Sequence, residues 1–156
     1  MNLRLLAIAG LLPIAAGCQP PETAVPQEAP IVREHINPRS PADGEVPPFS
    51  GAVRVGETLY LSGTIGRESD GSIAETAERE AELVLDNVRN TLVDAGMTMD
   101  DLVFVQIFSS DVSDYDAFNS VYRTYFEENF PARAFIGSGT LLFGARFEIQ
   151  SIAVAR

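Results

Sequence analysis

Apolar and polar positions alternate along this chain with periods that change from one stretch to the next. Ala52-Val53-Arg54-Val55 and Thr58-Leu59-Tyr60-Leu61-Ser62-Gly63 flank Gly56-Glu57, which predicts a hairpin. Apolar residues then recur at Ala77, Ala81, Val84, Leu85, Val88, Leu92 and Ala95, the single stripe of a helix closed by Gly96. Ser72 and Glu75 fit a capping box ahead of it. Glu75, Glu78, Glu80 and Glu82 favour its N-terminus through the helix dipole and read as a solvated face. Leu102 to Phe108 is an apolar run suited to a central strand covered on both sides, bracketed by turn-forming aspartates. Ser113 with Asp116 opens a second helix carrying Tyr115, Phe118, Tyr122, Tyr125 and Phe126 at helical spacing. That stripe reads as a packed core face, not a base-stacking surface. Pro131 ends the element.

The last stretch, Phe130 to Ala155, holds two alternating runs around a short connection with Gly144, the pattern of an antiparallel pair. Strand side chains repeat every two residues, so Arg133 and Phe135 share one face. On the second run Phe147 and Ile149 face together, with Glu148 and Gln150 opposite. One arginine and one carboxylate thus point from neighbouring strands toward the same space. Two readings are open: a surface ion pair, or a planar cation for a ligand's carboxylate beside a glutamate that holds a water. The order strand, strand, helix, strand, helix, strand, strand predicts an α+β fold, with two helices on one face of a mixed or antiparallel sheet.

The N-terminus has a different character. Arg4 precedes an apolar run from Leu5 to Ile14, then Ala15-Ala16-Gly17-Cys18. The run is too short for a transmembrane helix and reads as an export signal, residues 1–17. Its small-small-Gly-Cys ending resembles a bacterial lipoprotein signal, which makes Cys18 the lipidation site and membrane anchor. Gln19 is not the aspartate read as an inner-membrane retention cue, so the expected location is the cell envelope, on the outer membrane where there are two. As the sole cysteine, Cys18 forms no internal disulfide. Residues 18–47 are proline-rich and read as an extended tether holding His35 as a solvated tail residue. Residues 48–156, roughly 110 residues, suffice for one domain.

Composition removes several chemistries. The chain has no lysine, hence no side-chain Schiff base, and its globular part has neither histidine nor cysteine for a triad or a zinc site. The glycines after Ser62 lack phosphate-loop spacing. A formal net charge of −11 lacks the basic footprint of a nucleic-acid binder. No metal or organic cofactor is expected.

An ordered set of short segments then points to one family. Pro48-Phe49-Ser50, Leu59 to Gly66, Asp86-Asn87-Val88, Ala95-Gly96-Met97, Phe118-Asn119-Ser120-Val121-Tyr122, Pro131-Ala132-Arg133 and Glu148 to Ala153 together resemble the RidA (YjgF-type) reactive-intermediate deaminases. The resemblance implies a chorismate-mutase-like fold and homotrimers with ligand clefts between subunits. It further implies hydrolysis of enamine or imine carboxylates to 2-keto acids and ammonia. By matching position, Arg133 would bind the substrate carboxylate and Glu148 would activate water. Ser62, Gly63, Phe49, Phe135 and Asn119 would line the cleft. Phe49 stands where the family usually has tyrosine, and Phe135 where members often have cysteine, serine or threonine. A trimer that binds small carboxylates without turning them over is the alternative.

Overall fold

The computed structural model describes residues 30–40, 42 and 44–156. The export signal and Cys18 lie outside the described residues. The elements are β1 (Arg33–Ile36), β2 (Ala52–Val55), β3 (Thr58–Ile65), α1 (Ala77–Asp94), β4 (Leu102–Ser109), α2 (Tyr115–Tyr122), β5 (Ala132–Gly137) and β6 (Phe147–Val154). The strands form one mixed six-stranded sheet in the order β1-β2-β3-β6-β4-β5. Both helices pack on one of its faces, as the alternation of element types predicts.

Local chemistry explains the elements. Gly56, at φ +60°, supplies the backbone that the two-residue β2–β3 turn requires. Helix α1 begins at Thr76, whose hydroxyl accepts the Arg79 N–H at 3.2 Å. The expected cap at Ser72 is not used, because both its N–H and its hydroxyl donate to Asp70. At the other end Met97 N–H reaches the Leu92 carbonyl and Gly96 N–H the Val93 carbonyl, with Gly96 at φ +71°. This is the paired bonding of a Schellman cap. Asp111, not Ser113, caps the turn that leads into α2, accepting the Ser113 N–H.

The core lies between helices and sheet. Ala81, Val84, Leu85, Val88 and Leu92 of α1 and Phe118 and Tyr122 of α2 pack against Leu59, Leu61, Val105, Ile107, Phe147, Ile149 and Ala153. The expected α1 stripe is thus the buried one; of the expected α2 stripe Phe118 and Tyr122 are buried, Tyr125 and Phe126 lie beyond the helix and are partly buried, and Tyr115 is 45% exposed.

Three expectations are corrected. The final two strands are not a pair: β5 runs parallel to β4, while β6 inserts antiparallel between β3 and β4. Without β6, β3 and β4 would each leave a row of backbone groups unpaired, and satisfying both edges outweighs closing a local hairpin. Strand β4 is covered on only one face in the protomer; Phe104 on the other is 37% exposed. Part of the stretch expected to be an extended tether is paired. Residues 33–36 form an edge strand on β2 with Ile36 buried, and Ile31–Arg156 is one compact unit. His35 sits in that strand, exposed, its Nδ1 3.1 Å from Ser50 Oγ.

Candidate functional site

Arg133 stands on β5 opposite Val105, on the helix-bearing face of the sheet. Helix α2 lays an aromatic floor for it. The guanidinium carbon sits 4.6 Å from the Tyr122 ring centre and 5.8 Å from that of Tyr115. Such stacking favours arginine over lysine and leaves the planar N–H fork free to donate. Arg133 has no carboxylate partner among the described residues. It borders a cleft of about 200 Å³ lined also by Asn119, Tyr122, Arg123, Phe130 and Pro131. Asn119 is buried on α2, one turn before Tyr122 and Arg123. An uncompensated guanidinium beside an amide side chain has the donors to receive a small carboxylate.

The Tyr122 hydroxyl is buried and has no hydrogen-bond partner. Burial pushes its pKa up to about 12, partly offset by the positive charge of Arg133. The phenol is therefore neutral across the physiological range. Phe135 does not open a pocket wall beside Arg133. Its ring packs edge-on against Tyr115 at 5.2 Å and Phe118 at 5.7 Å, filling the space between β5 and α2.

Glu148 occupies a second place. On β6 it pairs with Ile65 of β3 and Phe108 of β4, on the face that carries no helix. The β3–β6 register shifts between Leu61 and Thr64, and this irregularity holds Ser62 and Gly63. A Cβ added to Gly63 would collide with Glu148 Oε1, so the carboxylate lies directly over the glycine backbone. Ser62 ties the bulge to the preceding segment: its hydroxyl donates to the Ser50 carbonyl at 2.8 Å and its N–H to Gly51 at 3.0 Å. Phe49, next along the chain, is half exposed.

The expected residues thus fall into two groups. Arg133, Asn119 and Phe135 gather under α2, whereas Ser62, Gly63 and Glu148 gather on the opposite side of the sheet. Strand β4 separates β5 from β6. The expectation that Arg133 and Glu148 point from neighbouring strands into one space fails within a single protomer, because β6 changed position and its alternation set Glu148 on the far face.

One buried charge runs against the sequence expectation. Glu80, expected on a solvated face, is fully buried. It accepts from Arg146 N–H at 2.5 Å, Phe147 N–H at 3.1 Å and Arg146 Nη1 at 3.0 Å. The signal was present: positions 77, 80 and 84 share one helix face, and Ala77 and Val84 were already assigned to the core stripe.

Residues 42–155 match the model of a family described as Endoribonuclease L-PSP. The chain is 35% identical over 119 residues to the 2-iminobutanoate/2-iminopropanoate deaminase of Homo sapiens, covering 72% of this chain and 84% of that one. The structure of YyfA from Yersinia pestis, a Rid-family protein of unknown function, is similar with a TM-score of 0.70. It is 32% identical, covering 80% of this chain and all of that one. Escherichia coli TdcF with bound serine is similar with a TM-score of 0.68 at 28% identity, covering 72% of this chain and 92% of that one.

Proposed function

Because the chain belongs to the Endoribonuclease L-PSP family, the group of the RidA (YjgF-type) proteins, we propose that it deaminates reactive 2-imino and 2-enamino carboxylates. The observation that carries this reading is the unpaired Arg133 guanidinium over Tyr122, facing a cleft of small-metabolite size. Its fork holds the substrate carboxylate in a bidentate manner and Asn119 supports it. Glu148 orients a water toward the imine carbon and takes one of its protons. Glu148 passes that proton to the substrate nitrogen, and the resulting carbinolamine transfers its hydroxyl proton to the same nitrogen as the C–N bond breaks, so that ammonia leaves and the 2-keto carbonyl forms. An enamine enters the same path after protonation at carbon. Water is the only co-reactant, and no cofactor takes part.

Arg133 and Glu148 lie on opposite faces of one sheet, so a shared cleft takes them from two copies of the chain. The open face of the sheet supports such an assembly: Tyr60, Phe104 and Ile152 lie on it at matching register, with Tyr60 half exposed. A homotrimer with clefts at its subunit seams accommodates both groups, with Ser62, Gly63 and Phe49 on one wall and Asn119 and Phe135 behind the other. The net charge of −11 opposes the alternative that the family description names, cleavage of RNA.

The assay generates imine in place with an amino-acid oxidase and follows keto-acid release. Faster release with the purified domain, abolished in a folded Arg133→Ala variant, supports catalysis. Equal rates for wild type and variant refute it. A second reading, carboxylate binding without turnover, is favoured by Phe49, which lacks the hydroxyl usual at that position; ligand binding with no acceleration would establish it. The envelope anchor is part of the proposal too. Mass measurement of the mature chain detects the lipid on Cys18, and Cys18→Ser would release the protein from membranes.

A further inference from the structure

We propose that Glu80 is a positioning residue for Glu148, acting through the first residues of β6; the inference rests on the deaminase reading only for its effect on turnover. A fully buried carboxylate is a poor choice for stability alone, since desolvation offsets much of what its ion pair contributes. Here it meets the backbone at a chosen point. Its Oε1 accepts the N–H groups of Arg146 and Phe147, the two residues that precede Glu148. Its Oε2 pairs with the Arg146 guanidinium, which donates also to the Ala74 carbonyl at 2.8 Å and the Glu75 carbonyl at 3.0 Å. The start of β6 is thus stapled to the approach and first turn of α1.

The opposite wall of the Glu148 slot is referenced to the same point. Gly66 follows Ile65, the β3 residue paired with Glu148. A Cβ on Gly66 would come within 2.6 Å of the Glu80 carbonyl oxygen and 2.8 Å of Val84 N, so the exit of β3 rests on the α1 backbone at Glu80. Gly63, beneath the Glu148 carboxylate, lies on that same strand. One helical residue therefore fixes the distance between the strand that carries the carboxylate and the strand that carries its seat. Nothing comparable holds Arg133, which sits on the edge strand β5.

Glu80→Gln retains an oxygen for the two backbone N–H groups, removes the charge, and turns an amide N–H₂ toward Arg146. Glu80→Asp retains the charge and withdraws it by one methylene. For the full chain, circular dichroism and melting report the folded fraction, steady-state kinetics split kcat from KM, and ¹³C carboxyl NMR follows the titration of Glu148. Positioning predicts that kcat per folded molecule falls on the order of 10- to 100-fold in Glu80→Gln, with KM within about twofold. It also predicts that the Glu148 carboxyl resonance and its response to pH differ from those of wild type. Glu80→Asp does the same to a smaller degree and decides the matter should the glutamine variant not fold. Unchanged kcat and an unmoved Glu148 titration in a folded variant overturn the proposal, as does a loss of activity that merely follows the folded fraction. Should wild type show no turnover, the deaminase reading fails alone, and the Glu148 titration still decides whether Glu80 positions it.

Discussion

The two halves of the candidate site hold their charges in opposite ways. Arg133 stands on an edge strand, cushioned by Tyr122 and Tyr115 and bonded to no carboxylate among the described residues. Glu148 stands on an interior strand, over a glycine that leaves it room and directly after a backbone segment pinned by the buried Glu80 carboxylate. The cation is left unneutralised for a partner from outside, whereas the acid is constrained by everything around it. The proposed roles would differ in the same way: a carboxylate tolerates a forgiving fork, but a reacting water requires an acceptor held to a fraction of an ångström.

The contrast is sharpest where one charge is removed at a time. Arg133→Ala should lower kcat/KM by about 10³-fold, the size expected for losing two charge-assisted hydrogen bonds of roughly 2 kcal/mol each. Its melting free energy should change by only about 1 kcal/mol, because the arginine gives up stacking and no ion pair. Glu148→Gln should lower kcat about 10²-fold with KM nearly unchanged, the signature of a group that acts on water. An equal rise in KM for both variants would break the comparison. Gly63→Ala probes the seat: the new Cβ meets the far end of a flexible side chain, so the carboxylate moves and the fold survives. A fall in kcat of about 10-fold, with a melting temperature within a few degrees, is expected.

The smallest effect lies under Arg133. Tyr122→Phe removes a buried hydroxyl with no partner and should raise stability by about 1 kcal/mol at neutral pH. The tyrosine pKa rises from near 10 to about 12 on folding. Between those values the unfolded chain releases the proton that the folded chain keeps, so wild-type stability falls as pH rises through the window. The phenylalanine variant should lose about half of that slope in chemical denaturation at alkaline pH. Tyr125, raised as well by burial and its bond to Asp86, leaves a residue of it.

What the sequence revealed follows the range of the forces involved. Both helices and the β2–β3 hairpin were legible because periodicity and turn chemistry act within a few residues. The partner of β5 was not, since pairing is decided by which distant edges remain open, and neighbours in sequence make a hairpin the simpler guess. Residue type and order single out Arg133, Glu148, Asn119, Ser62 and Gly63 as candidates, through resemblance alone. Their division between two faces followed only once β6 was placed between β3 and β4. Glu80 differs from its expectation for another reason: its charge points to solvent, whereas its spacing from Ala77 and Val84 directs it into the core.

The aromatic floor beneath Arg133 also makes the cleft optically self-reporting. The chain has no tryptophan, and two of its four tyrosines, Tyr115 and Tyr122, lie under this one guanidinium. An anion that draws the cation off those rings would alter two of the protein's four tyrosines at once. Occupancy is therefore written into the intrinsic emission, with no label attached.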